Sequence, residues 1–166
     1  MSWWLMISAS AGVSLIVAMV YFEALISQNL IQFQVGTKVM MHIGDCHCGK
    51  VQFEFESDSD VTLVRCNCSI CDRFGYLHLI IPQRLMMLKT SWEEMHTYTF
   101  NSGIAKHYFC KTCGVKPFYI PRSNPDCYSI NFRNVSQSTF GKVMIEDFDG
   151  QNWEANAASL AHLSDK

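Results

Sequence analysis

The stretch Cys66-Asn67-Cys68-Ser69-Ile70-Cys71 places three cysteines within six residues, and this CxCxxC motif organises the interpretation of the whole chain. Two further pairs flank it, Cys46/Cys48 in a CxC motif and Cys110/Cys113 in a CxxC motif. Thiolates two or three residues apart converge on one ion, and tetrahedral sulfur sites favour zinc or iron–sulfur. The spacing therefore predicts metal binding.

The number of cysteines in these motifs suggests two different metal sites. The outer pairs, Cys46, Cys48, Cys110 and Cys113, supply the four ligands of a closed tetrahedral site. The central motif supplies three, which leaves a fourth position for water or substrate, as in catalytic zinc sites. We therefore expect one structural and one working ion.

A purely structural use of all seven cysteines is the alternative. It needs an eighth ligand, for which His47, His78 and His107 are the candidate donors.

Four other residues near these motifs bear on the site. The eighth cysteine, Cys127, stands alone before a predicted strand and is expected to be a small buried hydrophobe. Arg65 and Arg73 flank the central motif, where a cation would lower thiol pKa values and attract an anionic substrate. We also expect Trp153 to be a packing residue.

Length and composition limit the class of protein. A chain of 166 residues with 49% hydrophobic content has enough apolar side chains for one packed domain. The net charge of -2 and scattered basic residues argue against nucleic-acid binding. Cysteine spacings typical of metal sites rather than disulfides predict a reducing compartment, and hence a cytoplasmic protein.

The N-terminal segment, residues 1–37, differs from the rest of the chain. It carries one charged side chain, Glu23, and sixteen of the twenty residues from Trp3 to Phe22 are apolar. This length is sufficient for a hydrophobic helix that spans a bilayer. Two interpretations remain open: a membrane anchor through residues 3–26 with the zinc domain in the cytoplasm, or an N-terminal extension that is not part of the natural protein.

The body of the chain is predicted to be mainly β. Alternation of apolar and polar residues predicts a hairpin of residues 51–55 and 61–65 around a polar turn at 57–60. The turn Asn101-Ser102-Gly103 predicts a second tight connection between two strands. All the further predicted strands are short: 76–81, 96–100, 105–109, 116–120, 128–132 and 143–145.

Five motifs together resemble the glutathione-dependent formaldehyde-activating enzyme family, whose domain is also called the centromere protein V domain. They lie in the same order as in the family: Gly44-Asp45-Cys46-His47-Cys48-Gly49, the central motif, Phe109-Cys110-Lys111-Thr112-Cys113-Gly114, Arg122-Ser123-Asn124-Pro125-Asp126 and Phe148-Asp149-Gly150-Gln151-Asn152-Trp153-Glu154. The resemblance covers residues 42–154 and leaves 155–166 as a C-terminal tail. Cys127 departs from it, since we would expect glycine there, and family members usually begin near Met41.

The resemblance implies a β-tent fold with two zinc ions per chain. In the family the outer pairs, here Cys46, Cys48, Cys110 and Cys113, hold a structural zinc. The central cysteines, here Cys66, Cys68 and Cys71, hold the catalytic zinc. The family's reaction joins glutathione to formaldehyde as S-hydroxymethylglutathione and is classed as a carbon–sulfur lyase.

The sequence therefore supports two alternative hypotheses for the function. The first is a zinc-dependent carbon–sulfur lyase acting on the adduct of a small thiol, such as glutathione, with formaldehyde or another small aldehyde. The second is a non-catalytic zinc-binding module that binds a protein partner. Neither involves nucleic acid, and a membrane is involved only if residues 1–37 are present.

Overall fold

The computed structural model describes residues 38–165. The predicted hydrophobic helix and membrane anchor, in residues 1–37, lie outside this range. Within it, no helix combines the length and apolar character that crossing a membrane requires.

Ten strands in the described part of the chain form two sheets. The smaller sheet has the order β1-β2-β5, and the larger has the order β10-β3-β4-β9-β8-β7-β6. The strands are β1 (Val39–Asp45), β2 (Gln52–Asp58), β3 (Val61–Cys66), β4 (Leu77–Pro82), β5 (Met86–Leu88), β6 (Met95–Tyr98), β7 (Lys106–Cys110), β8 (Phe118–Ile120), β9 (Cys127–Asn131) and β10 (Val143–Phe148). The prediction of a mainly β protein is confirmed.

The helices are short. The part of the chain that the structure describes contains two α-helices, α1 (Cys71–Phe74) and α2 (Trp153–Asn156). The 3₁₀ helices of residues 38–165 are Gln83–Leu85, Trp92–Glu94, Phe132–Asn134, Gln137–Thr139 and Ala157–Asp165.

The predicted hairpin of β2 and β3 is wrong. β2 pairs with β1 and β5, whereas β3 pairs with β4 and β10. At the polar turn the chain passes from one sheet to the other: the Ser59 amide donates to the Lys38 carbonyl and the Val61 amide to the Lys142 carbonyl, both at 2.9 Å. Alternation reports which face of a strand is buried and carries no information on its partner.

The second predicted connection is confirmed. β6 and β7 pair antiparallel, and the turn between them contains Asn101 at φ 50° and Gly103 at φ 70°. The Gly103 amide donates to the Phe100 carbonyl at 3.1 Å. Left-handed backbone is easiest for glycine and next easiest for asparagine, which explains these residues here.

Two apolar clusters hold the domain together. The larger is built around side chains with no solvent exposure: Val51, Phe53, Phe55, Leu63, Phe118 and Ile130. The smaller surrounds the central cysteine motif and includes Tyr76, Tyr119 and Cys127. Leu160 and Leu163, from the segment predicted as a tail, are buried in the smaller cluster. The domain limits of 42 and 154 remain a prediction.

The parallel pair β3 and β10 positions the central motif. Their register sets Phe148 beside Cys66, so both strands end together. The residues that follow each strand therefore lie side by side at one edge of the sheet.

Candidate metal centres and the adjoining cavity

The four outer cysteines form one compact group of thiols. The sulfur atoms of Cys46, Cys48, Cys110 and Cys113 all lie within 4.8 Å of one another. Cys46 Sγ is 3.5 Å from Cys48 Sγ, which is 3.6 Å from Cys110 Sγ. A tetrahedral zinc with bonds of about 2.3 Å requires sulfur–sulfur separations of about 3.8 Å. This four-thiol group could therefore hold a metal ion.

Two similar turns present these thiols. The Gly49 amide donates to the Cys46 carbonyl at 3.0 Å, and the Gly114 amide donates to the Cys110 carbonyl at 2.9 Å. Both glycines have left-handed backbone, φ 73° and 72°, a conformation that most side chains disfavour. The Val51 amide points at Cys46 Sγ at 3.3 Å, which stabilises negative charge on the sulfur.

The central cysteines form a second group of thiols. Cys66 ends β3, Cys71 begins α1 and Cys68 lies in the loop between them, and the three sulfur atoms lie within 4.8 Å of one another. Cys66 and Cys71 are buried, while Cys68 is half-buried. This three-thiol group could also hold a metal ion, with one ligand position left open.

Gly150, after β10, lies directly against the three-thiol group. A Cβ atom at this position would be 2.4 Å from Cys66 Sγ and 2.9 Å from Cys68 Cβ. The side chain of Asn67 holds the loop in place: its Nδ2 donates to Asp149 Oδ1 at 3.2 Å, and its Oδ1 accepts from the Gln151 amide at 3.0 Å. Only glycine fits this close approach.

The three thiols of this group differ in pKa because they interact with one another. Hydrogen bonds from Cys66 and Cys71 lower the pKa of the Cys68 thiol far below its usual range. The same interactions raise the pKa of Cys66 to about 11 and that of Cys71 further. Cys68 is therefore the thiol of this group that ionises most readily.

A cavity of about 470 Å³ opens onto the three-thiol group. Cys66, Cys68 and Cys71 all line it, whereas none of the four outer cysteines does. Its other walls come from the loop before α1, the β6–β7 turn, strands β7 and β8, and the chain after β10. They include Ile70, Phe100, Asn101, His107, Tyr119, Gly150 and Gln151. The volume is within the usual range of small-molecule sites, about 300–1,000 Å³.

Arg122 lies at this cavity in a fixed position. Its guanidinium is 4.4 Å from the centre of the Trp153 ring, and its Nη2 donates to Glu154 Oε1 at 2.9 Å. All three residues line the cavity. Trp153, predicted only to pack, therefore also orients an arginine that faces the site.

Lys116 is a buried cation beside the site. It is 2% exposed, and its Nζ has no hydrogen-bond partner among the described residues. The ammonium lies 4.2 Å from the centre of the Tyr119 ring and 4.6 Å from that of Tyr76. Burial lowers the pKa of Lys116 to about 8, against the opposing effect of the thiolates of the three-thiol group.

Similarity to known proteins agrees with this arrangement. The sequence model of the family described as glutathione-dependent formaldehyde-activating enzyme matches residues 41–148. The chain belongs to this family. It is also similar to a Rhodobacter sphaeroides protein whose crystal structure was determined by structural genomics, with 32% identity and a TM-score of 0.54; the match covers 63% of this chain and 99% of that one.

The histidines considered as an eighth ligand lie outside both thiol groups. Within residues 38–165, neither group includes a nitrogen of His47, His78 or His107. His78 Nδ1 is instead 2.9 Å from Ser129 Oγ, and His107 stacks on Tyr119 at 4.8 Å between ring centres. Burial, with a smaller effect of Lys116, lowers the pKa of His78 to about 3 and that of His107 to about 4. Both histidines are therefore neutral at pH 7.

The arginines predicted to act on the central thiols do not line the cavity. Arg65 forms a two-point ion pair with Asp147 on the neighbouring strand, at 2.6 and 2.9 Å. Arg73 donates to the carbonyl of Ser69. Each is engaged by an acceptor close to its own strand or helix, and the effect expected of them on the thiols stays a prediction.

Sequence reasoning missed Lys116 as a site residue, although a signal was present. It is the only charged residue of the otherwise apolar run from Val115 to Ile120. A lone lysine in such a run indicates burial beside a compensating group. Cys127 was predicted correctly: it is fully buried, and its sulfur belongs to neither thiol group.

Proposed function

We propose that this protein is a zinc-dependent carbon–sulfur lyase that joins glutathione, or a similar thiol, to formaldehyde or a related small aldehyde and also catalyses the reverse reaction. The observation that carries the proposal is the difference between the two thiol groups. The three-thiol group faces a cavity of about 470 Å³, and the four-thiol group does not. Membership of the family favours this reaction over others.

The division of labour follows from the ligand counts. Cys46, Cys48, Cys110 and Cys113 hold a structural zinc, since four thiolates saturate the ion. The three-thiol group, Cys66, Cys68 and Cys71, holds the catalytic zinc and leaves a position towards the cavity. Each chain thus binds two zinc ions. Seven reduced cysteines fit a reducing compartment, so we place the reaction in the cytoplasm.

When bound at the three-thiol group, zinc supplies a coordination position at which an incoming thiol has a lowered pKa. The thiol loses its proton to solvent, and its sulfur then attacks the aldehyde carbon. The carbon–sulfur bond forms as the carbonyl π electrons move to oxygen, which takes a proton from solvent. The chain's own residues hold the reactants: the cavity of about 470 Å³ receives the thiol and the aldehyde beside the three-thiol group.

Arg122 supports a thiol that carries a carboxylate, as glutathione does. Its side chain is 28% exposed, and its guanidinium is held by Trp153 and Glu154. Guanidinium groups bind carboxylates through two parallel hydrogen bonds. Because the side chain of Glu154 is 90% exposed, its contact with Arg122 is easily exchanged for a ligand carboxylate.

One observation favours the second function, a non-catalytic zinc module for protein binding. The edge strand β10 exposes the consecutive apolar residues Val143, Met144 and Ile145. Exposed apolar edge strands are frequent sites of protein association. We keep this as the alternative.

The test uses protein loaded with cobalt in place of zinc, because a fourth thiolate changes the cobalt absorption bands. Glutathione should alter the spectrum of one of two ions, and glutathione with formaldehyde should form the adduct faster than in buffer. Arg122→Gln should weaken glutathione binding roughly tenfold while leaving 2-mercaptoethanol, which has no carboxylate, unaffected. Two bound ions of which neither responds to a thiol would exclude the lyase and leave the protein-binding module.

A further inference from the structure

Lys116 places a positive charge in the protein interior, where it needs a compensating negative charge. Its ammonium is buried and has no hydrogen-bond partner among the described residues. The ring faces of Tyr119, Tyr76 and Phe74 lie 4.2, 4.6 and 5.5 Å from it. Such faces attract a cation, but they do not replace the hydration that burial removes. A buried ammonium of this kind requires a nearby anion.

The candidate anion is the three-thiol group, whose Cys66 and Cys71 pack in the same cluster as Tyr76 and Tyr119. Tyr119, which the ammonium contacts, lines the same cavity as the three thiols. Tyr76, the other close ring, is tied to the group because its amide donates to the Cys71 carbonyl at 3.1 Å. Thiolate charge at the group favours the charged form of Lys116. The nearby His78 and His107 are neutral and do not compete as cations.

We propose that Lys116 is the internal counter-cation of the three-thiol centre and selects anionic over neutral ligands at its open position. This inference rests on the proposed function. Three thiolates and one divalent ion have a net charge of −1, and a bound thiolate makes it −2, whereas a neutral ligand leaves it unchanged. Lys116 therefore stabilises the thiolate-bound state more than any state with a neutral ligand.

The experiment compares an anionic and a neutral ligand on the cobalt-loaded full chain. The probes are 2-mercaptoethanol, which binds as a thiolate and has no carboxylate for Arg122, and imidazole, which binds neutral. Lys116→Met removes the charge and keeps most of the side-chain volume. We expect its affinity for 2-mercaptoethanol to fall about tenfold or more, with that for imidazole changed less than about twofold. Lys116→Arg, which keeps the charge, should retain the wild-type preference.

The possible results distinguish a counter-cation from a residue with a structural role only. If Lys116→Met loses affinity equally for 2-mercaptoethanol and imidazole, the role of Lys116 is merely structural. If both affinities are unchanged, the charge of Lys116 does not affect ligand binding. Either result overturns the inference. Lys116→Gln provides a second neutral variant should Lys116→Met not fold. Wild-type protein that binds neither probe would overturn the proposed function together with the inference. Selective loss of thiolate binding in a protein that forms no adduct would support the inference and reject only the lyase.

Discussion

Replacing Gly150 by alanine should remove one of the two metal ions and leave the other in place. On the present backbone the added Cβ lies 2.4 Å from Cys66 Sγ. Carbon and sulfur atoms that are not bonded need about 3.5 Å, so the sulfur or the loop must move by about 1 Å. Metal–ligand distances in true sites vary by only about 0.2 Å. The displacement is several times larger than the three-thiol group can absorb while binding zinc.

The expected result is a metal content that falls from two ions to one, with a loss of about 1–3 kcal/mol in the free energy of unfolding from overpacking. Metal content is measured by elemental analysis of purified protein, and the cobalt spectrum identifies which group has lost its ion. The ion that remains should show the bands of four thiolates and should not respond to glutathione.

Gly141→Ala is the matched control for this variant. Its added Cβ would lie 2.4 Å from Asp60 Oδ1, an equally close contact before the start of β3, whereas Cys66 lies at the end of that strand. This variant should keep both ions. If Gly150→Ala also keeps two ions with an unchanged cobalt spectrum, the close packing of the loop on Cys66 does not control metal binding and the reasoning is refuted.

Two further predictions concern stability. Cys110→Ser should lower the melting temperature more than Cys68→Ser, because a closed structural site contributes about 10–16 kcal/mol of binding free energy to folding; equal losses in calorimetry would contradict the division into structural and catalytic ions. Burial lowers the pKa of His78 from 6.5 to about 3, so the folded state binds this proton less readily than the unfolded state. The contribution of His78 to the free energy of unfolding is therefore complete above pH 6.5, and it is lost at about 1.4 kcal/mol per pH unit as the pH falls towards 3. His78→Gln should reduce the difference in unfolding free energy between about pH 7 and about pH 5.5, as measured by urea denaturation with metal retained; an unchanged difference would show that His78 does not carry this proton linkage.

The sequence predicts the chemistry of the site better than its surroundings. The structure brings together the same two sets of thiols that the spacing suggested, because ligands two or three residues apart are placed by local turns such as those at Gly49 and Gly114. The strands were also largely predictable, since alternation is a local property.

The features that could not be predicted depend on residues distant in the chain. The partner of β2 is β1 rather than β3, and nothing in the alternation of either strand specifies this. Lys116 contacts Tyr76 only because β8, which follows Lys116, lies two strands from β4, which follows Tyr76, in the larger sheet. Position 150 must be glycine because the chain there lies against Cys66, and this contact exists only when β10 has paired with β3.

The parallel pairing of β3 and β10 also determines when the site can be completed during synthesis. Cys66, Cys68 and Cys71 leave the ribosome almost together, but Gln151, which Asn67 fixes in the cavity wall, follows Asn67 by 84 residues. At about 5–20 residues per second, this interval is roughly 4–17 s. During that time the three thiols are open to metal ions and oxidants before a substrate cavity exists. The order of the strands therefore makes metal supply and a reducing environment requirements of the nascent chain, ahead of any requirement for substrate.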